Sequence, residues 1–166
     1  LIGMEFTFFL LSYYVYIIFL SDVFIRLFWI KFFFWFNEYS PINIAIENNN
    51  HEIIYILLKN KFQVDPNVFK KCEKLTSLRI PSLIDSFEKY SFKGCESLTH
   101  VLFDNPSTIT SFGKKIFYKC FCLVEISIPS SLTSISDNSF YQCNSLQKVS
   151  FPSSLARIKE NAFCDC

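Results

Sequence analysis

The seven cysteines are the residues of this 166-residue chain best able to do chemistry. Thiolates hold zinc, and paired thiols oxidise to disulfides. Five of them, Cys72, Cys95, Cys120, Cys143 and Cys166, each stand three residues after a phenylalanine: Phe69, Phe92, Phe117, Phe140 and Phe163. Cys122 and Cys164 lie two residues from a member of that set. A zinc site would join Cys120-x-Cys122 to Cys164-x-Cys166. Those pairs are two repeat units apart, roughly 10 Å at about 5 Å per rung. One tetrahedral ion with sulfur ligands at about 2.3 Å does not span that gap. Neighbouring rungs are near enough for a disulfide in an oxidising compartment, but an odd count leaves one thiol unpaired. Mostly free thiols in a buried column are expected, with no metal and no cofactor.

The other reactive types are sparse. His51 falls at the start of a helical pattern and reads as a turn residue, while His100 falls on the outward side of a strand. Neither is placed beside a nucleophile, as a triad requires. Three glycines, Gly3, Gly94 and Gly113, form no phosphate-cradling loop. Asn105-Pro106-Ser107 is barred from glycosylation by its proline. A formal net charge of +1 supplies no global field to recruit nucleic acid. The expected class is a non-enzymatic protein.

The elements that position the cysteine column repeat. A strand-like triplet appears as Leu75, Leu78, Ile80, then Leu98, Val101, Phe103, then Leu123, Ile126, Ile128, then Leu146, Val149, Phe151. The leading leucines are spaced by 23, 25 and 23 residues, the longer unit carrying an insertion at Asp104-Asn105. After Pro81, Pro106, Pro129 and Pro152 come apolar pairs three apart: Ile84 with Phe87, Ile109 with Phe112, Leu132 with Ile135, Leu155 with Ile158. A unit of about 23 residues cannot bury its own apolar face, so successive units must stack. The fold class predicted is a repeat solenoid, one short β-strand plus a turn or short helix per unit, with an α-helical N-terminal part.

These units resemble the BspA-like leucine-rich-repeat family, whose consensus runs leucine-x-x-isoleucine-x-isoleucine-Pro-x-x-valine-x-x-isoleucine, then alanine-Phe-x-x-Cys. Leu123 to Cys143 matches closely. Ser91, Ile116 and Ser139 replace the alanine. Coverage runs over about residues 64–166, some four repeats, the last ending at Cys166 inside its unit. Family members are known mainly as surface antigens and adhesins of anaerobic bacteria and parasitic protists. The resemblance therefore implies a protein-protein interaction module at a cell surface.

Residues 40–60 resemble a single ankyrin repeat. Ser40-Pro41 opens a first helix, Ala45 lets paired helices approach, and Asn48 to Asn50 turn the chain. Ile53, Ile54, Leu57 and Leu58 face a second helix inward. A plain amphipathic hairpin packed on the solenoid end reads equally well. Ahead of it, Phe6 to Phe36 carries only Asp22, Arg26 and Lys31 as charges, and the first 36 residues hold ten of the 21 phenylalanines. Its charge-free core, Phe6 to Leu20, falls short of the about 20 residues of a spanning helix. Membrane association through residues 6–36 and a mispredicted stretch are the two readings. The expected organisation is thus residues 1–39 as an aromatic segment, 40–63 as an ankyrin-like hairpin and 64–166 as the solenoid. A start at Leu1 and an end inside a repeat are what a piece of a longer protein would show.

The candidate binding surface is the outward strand face: Ser77, Arg79, His100, Leu102, Glu125, Ser127, Lys148 and Ser150. Its mixed charges specify neither ligand nor sign. Two functional classes follow: a surface antigen or adhesin, and an intracellular scaffold joining an ankyrin-like unit to a leucine-rich repeat. The partner in either is an unidentified protein, and the location is the cell surface or membrane in the first and the cytoplasm in the second.

Overall fold

A computed structural model of the chain describes residues 40–60 and 67–166. Ile42–Cys166 forms one compact unit, and the other unit, Leu1–Pro41, lies almost wholly outside the described residues. The expectation of membrane association over residues 6–36 falls there too. Among the described residues no helix is long and apolar enough to cross a membrane.

Two short helices come first, α1 (Pro41–Glu47) and α2 (His51–Lys59). Proline suits the first helical position because its missing N–H would be unpaired there anyway. Asn50 caps α2, its side chain accepting from the Ile53 N–H at 3.1 Å. Ile53, Ile54, Leu57 and Leu58 are all buried. The turn between the helices is carried by Asn49 at φ 52°.

Every later unit repeats one path. The long strands β1 (Ser77–Ile80), β3 (His100–Phe103), β5 (Glu125–Ser127) and β7 (Lys148–Ser150) form a parallel sheet in the order β1-β3-β5-β7. The two-residue strands β2 (Ser86–Phe87), β4 (Ser111–Phe112), β6 (Ser134–Ile135) and β8 (Arg157–Ile158) pair in parallel as β2-β4 and β6-β8. The second member of each apolar pair after a proline, Phe87, Phe112, Ile135 and Ile158, thus lies in a strand, while Ile84, Leu132 and Leu155 close turns onto the proline carbonyls. Alternation sets the burial: Leu78, Val101 and Ile126 share a register and are all buried, while Arg79 beside Leu78 is exposed.

The Phe-x-x-Cys segments close each coil and hold it to the next. Rings stack at centroid distances of 5.1 Å for Phe69–Phe92, 5.1 Å for Phe92–Phe117, 5.3 Å for Phe117–Phe140 and 5.0 Å for Phe140–Phe163. Phe92, Phe117 and Phe140 are fully buried, each contributing about 2–3 kcal/mol by area alone. Backbone bonds form a further ladder: the N–H groups of Phe92, Phe117 and Phe140 donate to the carbonyls of Ile116, Ser139 and Ala162 in the following coil. The thiols run the other way. Cys95 donates to the Phe69 carbonyl at 2.8 Å, Cys120 to Phe92 at 3.1 Å, Cys143 to Phe117 at 3.3 Å and Cys166 to Phe140 at 3.1 Å. A small, apolar side chain with one weak donor is what this position demands.

The departures from alanine have local reasons. Ser91 and Ser139 are buried, and each hydroxyl donates to a carbonyl three residues back, Glu88 at 2.8 Å and Ser136 at 2.7 Å. Ile116 is fully buried and its extra volume joins the core.

Candidate functional site

The eight outward positions lie on the sheet in two columns. Ser77, His100, Glu125 and Lys148 are register partners in sequence along the sheet. Arg79 pairs with Leu102, and Ser127 with Ser150. Arg79, His100, Leu102, Ser127, Lys148 and Ser150 are exposed, and Ser77 and Glu125 are half-buried. Leu102 is the most open of the large apolar residues in the described chain, at 60%. Lys148 reaches Glu125 across one rung at 2.9 Å, an exposed pair worth at most about 1 kcal/mol.

Arg79 is engaged by residues that the strand pattern does not include. Its Nε donates to Asp104 Oδ1 at 2.7 Å, and its guanidinium lies 4.9 Å from the Tyr55 ring centre. The Tyr55 hydroxyl donates to Asp104 Oδ2 at 2.8 Å. Helix α2, strand β1 and the insertion after β3 therefore meet at one carboxylate. Burial raises the Asp104 carboxyl, but the Tyr55 hydroxyl and the Arg79 guanidinium outweigh it and hold the group below its ordinary value. The signal available in the sequence was the insertion itself, which begins at Asp104.

His51 also does more than turn the chain. Its Nδ1 lies 2.8 Å from the Ser77 carbonyl, so a protonated Nδ1 donates to strand β1. Asn49 adds a second tie, its Oδ1 accepting from the Thr76 N–H at 2.9 Å. The helical hairpin is thereby fixed to the first strand.

A cleft of about 340 Å³ lies at the C-terminal ends of the inner strands β3 and β5. Leu102 and Ser127 of the strands, Asn105 of the insertion, and Ser107 and Pro129 of the proline turns line it. It brings together two of the eight predicted residues, Leu102 and Ser127, and leaves the other six on the open sheet. Its chemistry is that of a contact surface: apolar carbon, hydroxyls and amide groups, with Asp104 its one charge.

The cysteines are free, with Cys72, Cys95, Cys120 and Cys143 buried and Cys122 exposed. Among the described residues no group of three or more His, Cys, Asp or Glu could hold a metal ion. Burial first, then the neighbouring Cys166, pushes the Cys143 thiol up to about 12. Cys95 is raised first by its neighbour Cys120 and then by burial. Thiols so placed are poor nucleophiles.

The geometry defines a parallel β-solenoid whose repeat is one longer strand, one proline turn, one two-residue strand and one Phe-x-x-Cys coil. The family described as the BspA type leucine rich repeat region matches residues 62–166 in six copies. The chain belongs to that family. Among solved structures it is similar to a leucine-rich repeat protein of T. pallidum, TpLRR, at 30% identity and a TM-score of 0.56, over 60% of this chain and 46% of that one. A leucine-rich repeat protein from Bacteroides ovatus is similar at 34% identity and a TM-score of 0.53, over 60% and 25%. The pneumococcal vaccine antigen PcpA is similar at 30% identity and a TM-score of 0.51, over 55% and 22%. The chain spans less than half the length of each of these. No significant match is found among curated proteins.

Proposed function

We propose that this repeat module is a cell-surface antigen or adhesin that binds a protein partner across the β1-β3-β5-β7 face, with Leu102 as its apolar anchor. The single observation that carries the proposal is Leu102, a large apolar side chain at 60% exposure beside the cleft. A concave site lined by apolar side chains with a few convergent polar groups is the usual form of a binding site, and interfaces place apolar anchors inside a polar rim. Arg79, His100, Ser127 and Ser150 supply that rim. The likeness to a pneumococcal vaccine antigen supports the surface placement.

Two experiments test this reading. Protease treatment of intact cells removes the repeats if they are displayed, and survival of the repeats contradicts display. A photo-cross-linking residue at Leu102 gives a discrete protein adduct that Arg79→Glu with His100→Glu weakens. Absence of adducts from Leu102, Ser127 and Ser150 alike contradicts use of the strand face.

A second reading, an intracellular scaffold, rests on residues 40–60. The buried Ala45 and the cap at Asn50 support an ankyrin-like unit there. Fractionation that finds the chain secreted ends that reading.

A further inference from the structure

The coil segments carry a second exposed surface, built from residues other than the strand face. Tyr90 sits within 6.0 Å of four lysine Nζ atoms: Lys89 at 4.7 Å, Lys93 at 5.1 Å, Lys115 at 5.7 Å and Lys70 at 6.0 Å. Tyr118 gathers three, Lys115 at 5.4 Å, Lys93 at 5.7 Å and Lys119 at 5.8 Å. Lys93 and Lys115 lie over both rings, so the cluster is continuous from the coil of Phe69 to that of Phe117.

None of these five lysines takes part in an ion pair among the described residues. The nearby carboxylates Glu73, Glu88 and Glu96 are exposed and do not reach them. Like charges held together cost free energy that an anionic ligand recovers. The phenol of Tyr90 responds to the same field. Burial raises it, but the ammonium groups of Lys115 and Lys89 outweigh that, and it titrates below its ordinary value.

Repeat geometry keeps the lysines in place. Lys115 and Lys119 sit at left-handed φ of 58° and 61°, two residues before and after Phe117. Their N–H groups donate to the Asp137 and Tyr141 carbonyls of the next coil at 3.1 and 2.9 Å. Their backbones are therefore fixed, and binding orders only the side-chain ends.

We propose that this lysine-tyrosine patch docks an acidic polypeptide segment, a short run of Asp and Glu on a protein partner. The inference rests on the protein-binding reading above and adds a second contact surface to it. Three observations favour a peptide over a nucleic acid or an anionic polysaccharide. The patch spans three coils, about 10 Å at ~5 Å each. Asp137 and Asp165 take over equivalent positions in the following coils, so a long polyanion laid along the coils meets like charge. Tyr141 takes one face of Tyr118, stacked at 5.1 Å and 7°, and lysine ammonium groups lie over Tyr90, so a base would have to displace them in order to stack.

The test is fluorescence anisotropy of a labelled octaglutamate peptide on the full chain at low salt, with octathymidylate and heparin as competing probes. Octaglutamate binding is expected to weaken with added salt. Lys93→Gln with Lys115→Gln is expected to weaken it about tenfold, from two lost charge contacts. Lys159→Gln, outside the patch, leaves it unchanged, and unaltered circular dichroism shows the variants folded. Absent octaglutamate binding, binding indifferent to the double variant, or a preference for octathymidylate or heparin overturns the proposal. Loss here with intact cross-linking at Leu102 overturns the patch alone, and the converse overturns the strand face alone.

Discussion

Truncating one ring of the phenylalanine stack separates a shared spine from a set of independent side chains. Phe117 is fully buried, lies flat against Phe92 at 5.1 Å and Phe140 at 5.3 Å, and meets Phe112 edge-on at 6.1 Å. Phe117→Ala removes a fully buried ring and leaves a cavity, about 3–5 kcal/mol. Two stacked partners place the loss at the upper end, about 4–5 kcal/mol, since each pair adds ~0.5–1.5 kcal/mol beyond area. The unit's whole stability is of order 5–15 kcal/mol. Phe163 is half-buried in the last coil, stacked on Phe140 alone at 5.0 Å with Phe151 edge-on at 6.1 Å. Phe163→Ala therefore costs only about 1–2 kcal/mol. Urea denaturation followed by far-UV circular dichroism reads the difference. With a slope of about 2 kcal/mol per molar, the interior variant shifts the midpoint by about 2 M and the terminal one by less than about 1 M. Equal shifts, or an interior shift below that of Phe163→Ala, would refute the stacking argument.

Three further outcomes follow from the same geometry. A Cβ at Gly113 overlaps the backbone of Glu88 in the preceding coil, so Gly113→Ala lowers stability by about 1–3 kcal/mol in the same urea assay. Asp104 has its carboxyl held below the ordinary value by Tyr55 and Arg79. Its contribution is full above the unfolded carboxylate range and is lost as pH falls through the lower folded value. Asp104→Asn should flatten the loss of stability between about pH 5 and pH 2, and an unchanged slope contradicts the junction. In native protein Cys122 reacts with a thiol reagent, whereas Cys95, Cys120 and Cys143 react only on unfolding; mass spectrometry of labelled peptides scores each site.

Repetition made the spine legible. A residue type that recurs at fixed offsets, as Phe and Cys do, must occupy equivalent environments in successive coils, so Leu78, Val101 and Ile126 could be placed inward from spacing alone. The same logic placed the outward strand positions. The left-handed turns were announced only in part: Asn49, Gly94, Asn138 and Asn161 are residue types that favour the conformation, but Lys71, Tyr90, Lys115, Lys119 and Gln142 adopt it too. Backbone bonds to the next coil hold these residues in place, a tertiary cause that leaves no local signature. The Tyr55–Asp104–Arg79 junction was hidden for a related reason: its members come from a helix, a loop insertion and a strand 24 or more residues apart. Phe151 matches the third apolar position of its triplet yet is 52% exposed, because among the described residues no later coil lies over it. The strand pattern carries no sign of the lysine-tyrosine patch, whose residues lie one to three positions from a Phe of the coils.

Contact between equivalent rings of successive coils is what makes the repeats one shared spine. Nuclear Overhauser measurements on protein labelled at phenylalanine read this without altering any residue. The account predicts cross-peaks from the Phe117 ring protons to those of both Phe92 and Phe140, some 25 and 23 residues away in the chain. A Phe117 ring that shows contacts only to residues near it in sequence would contradict it.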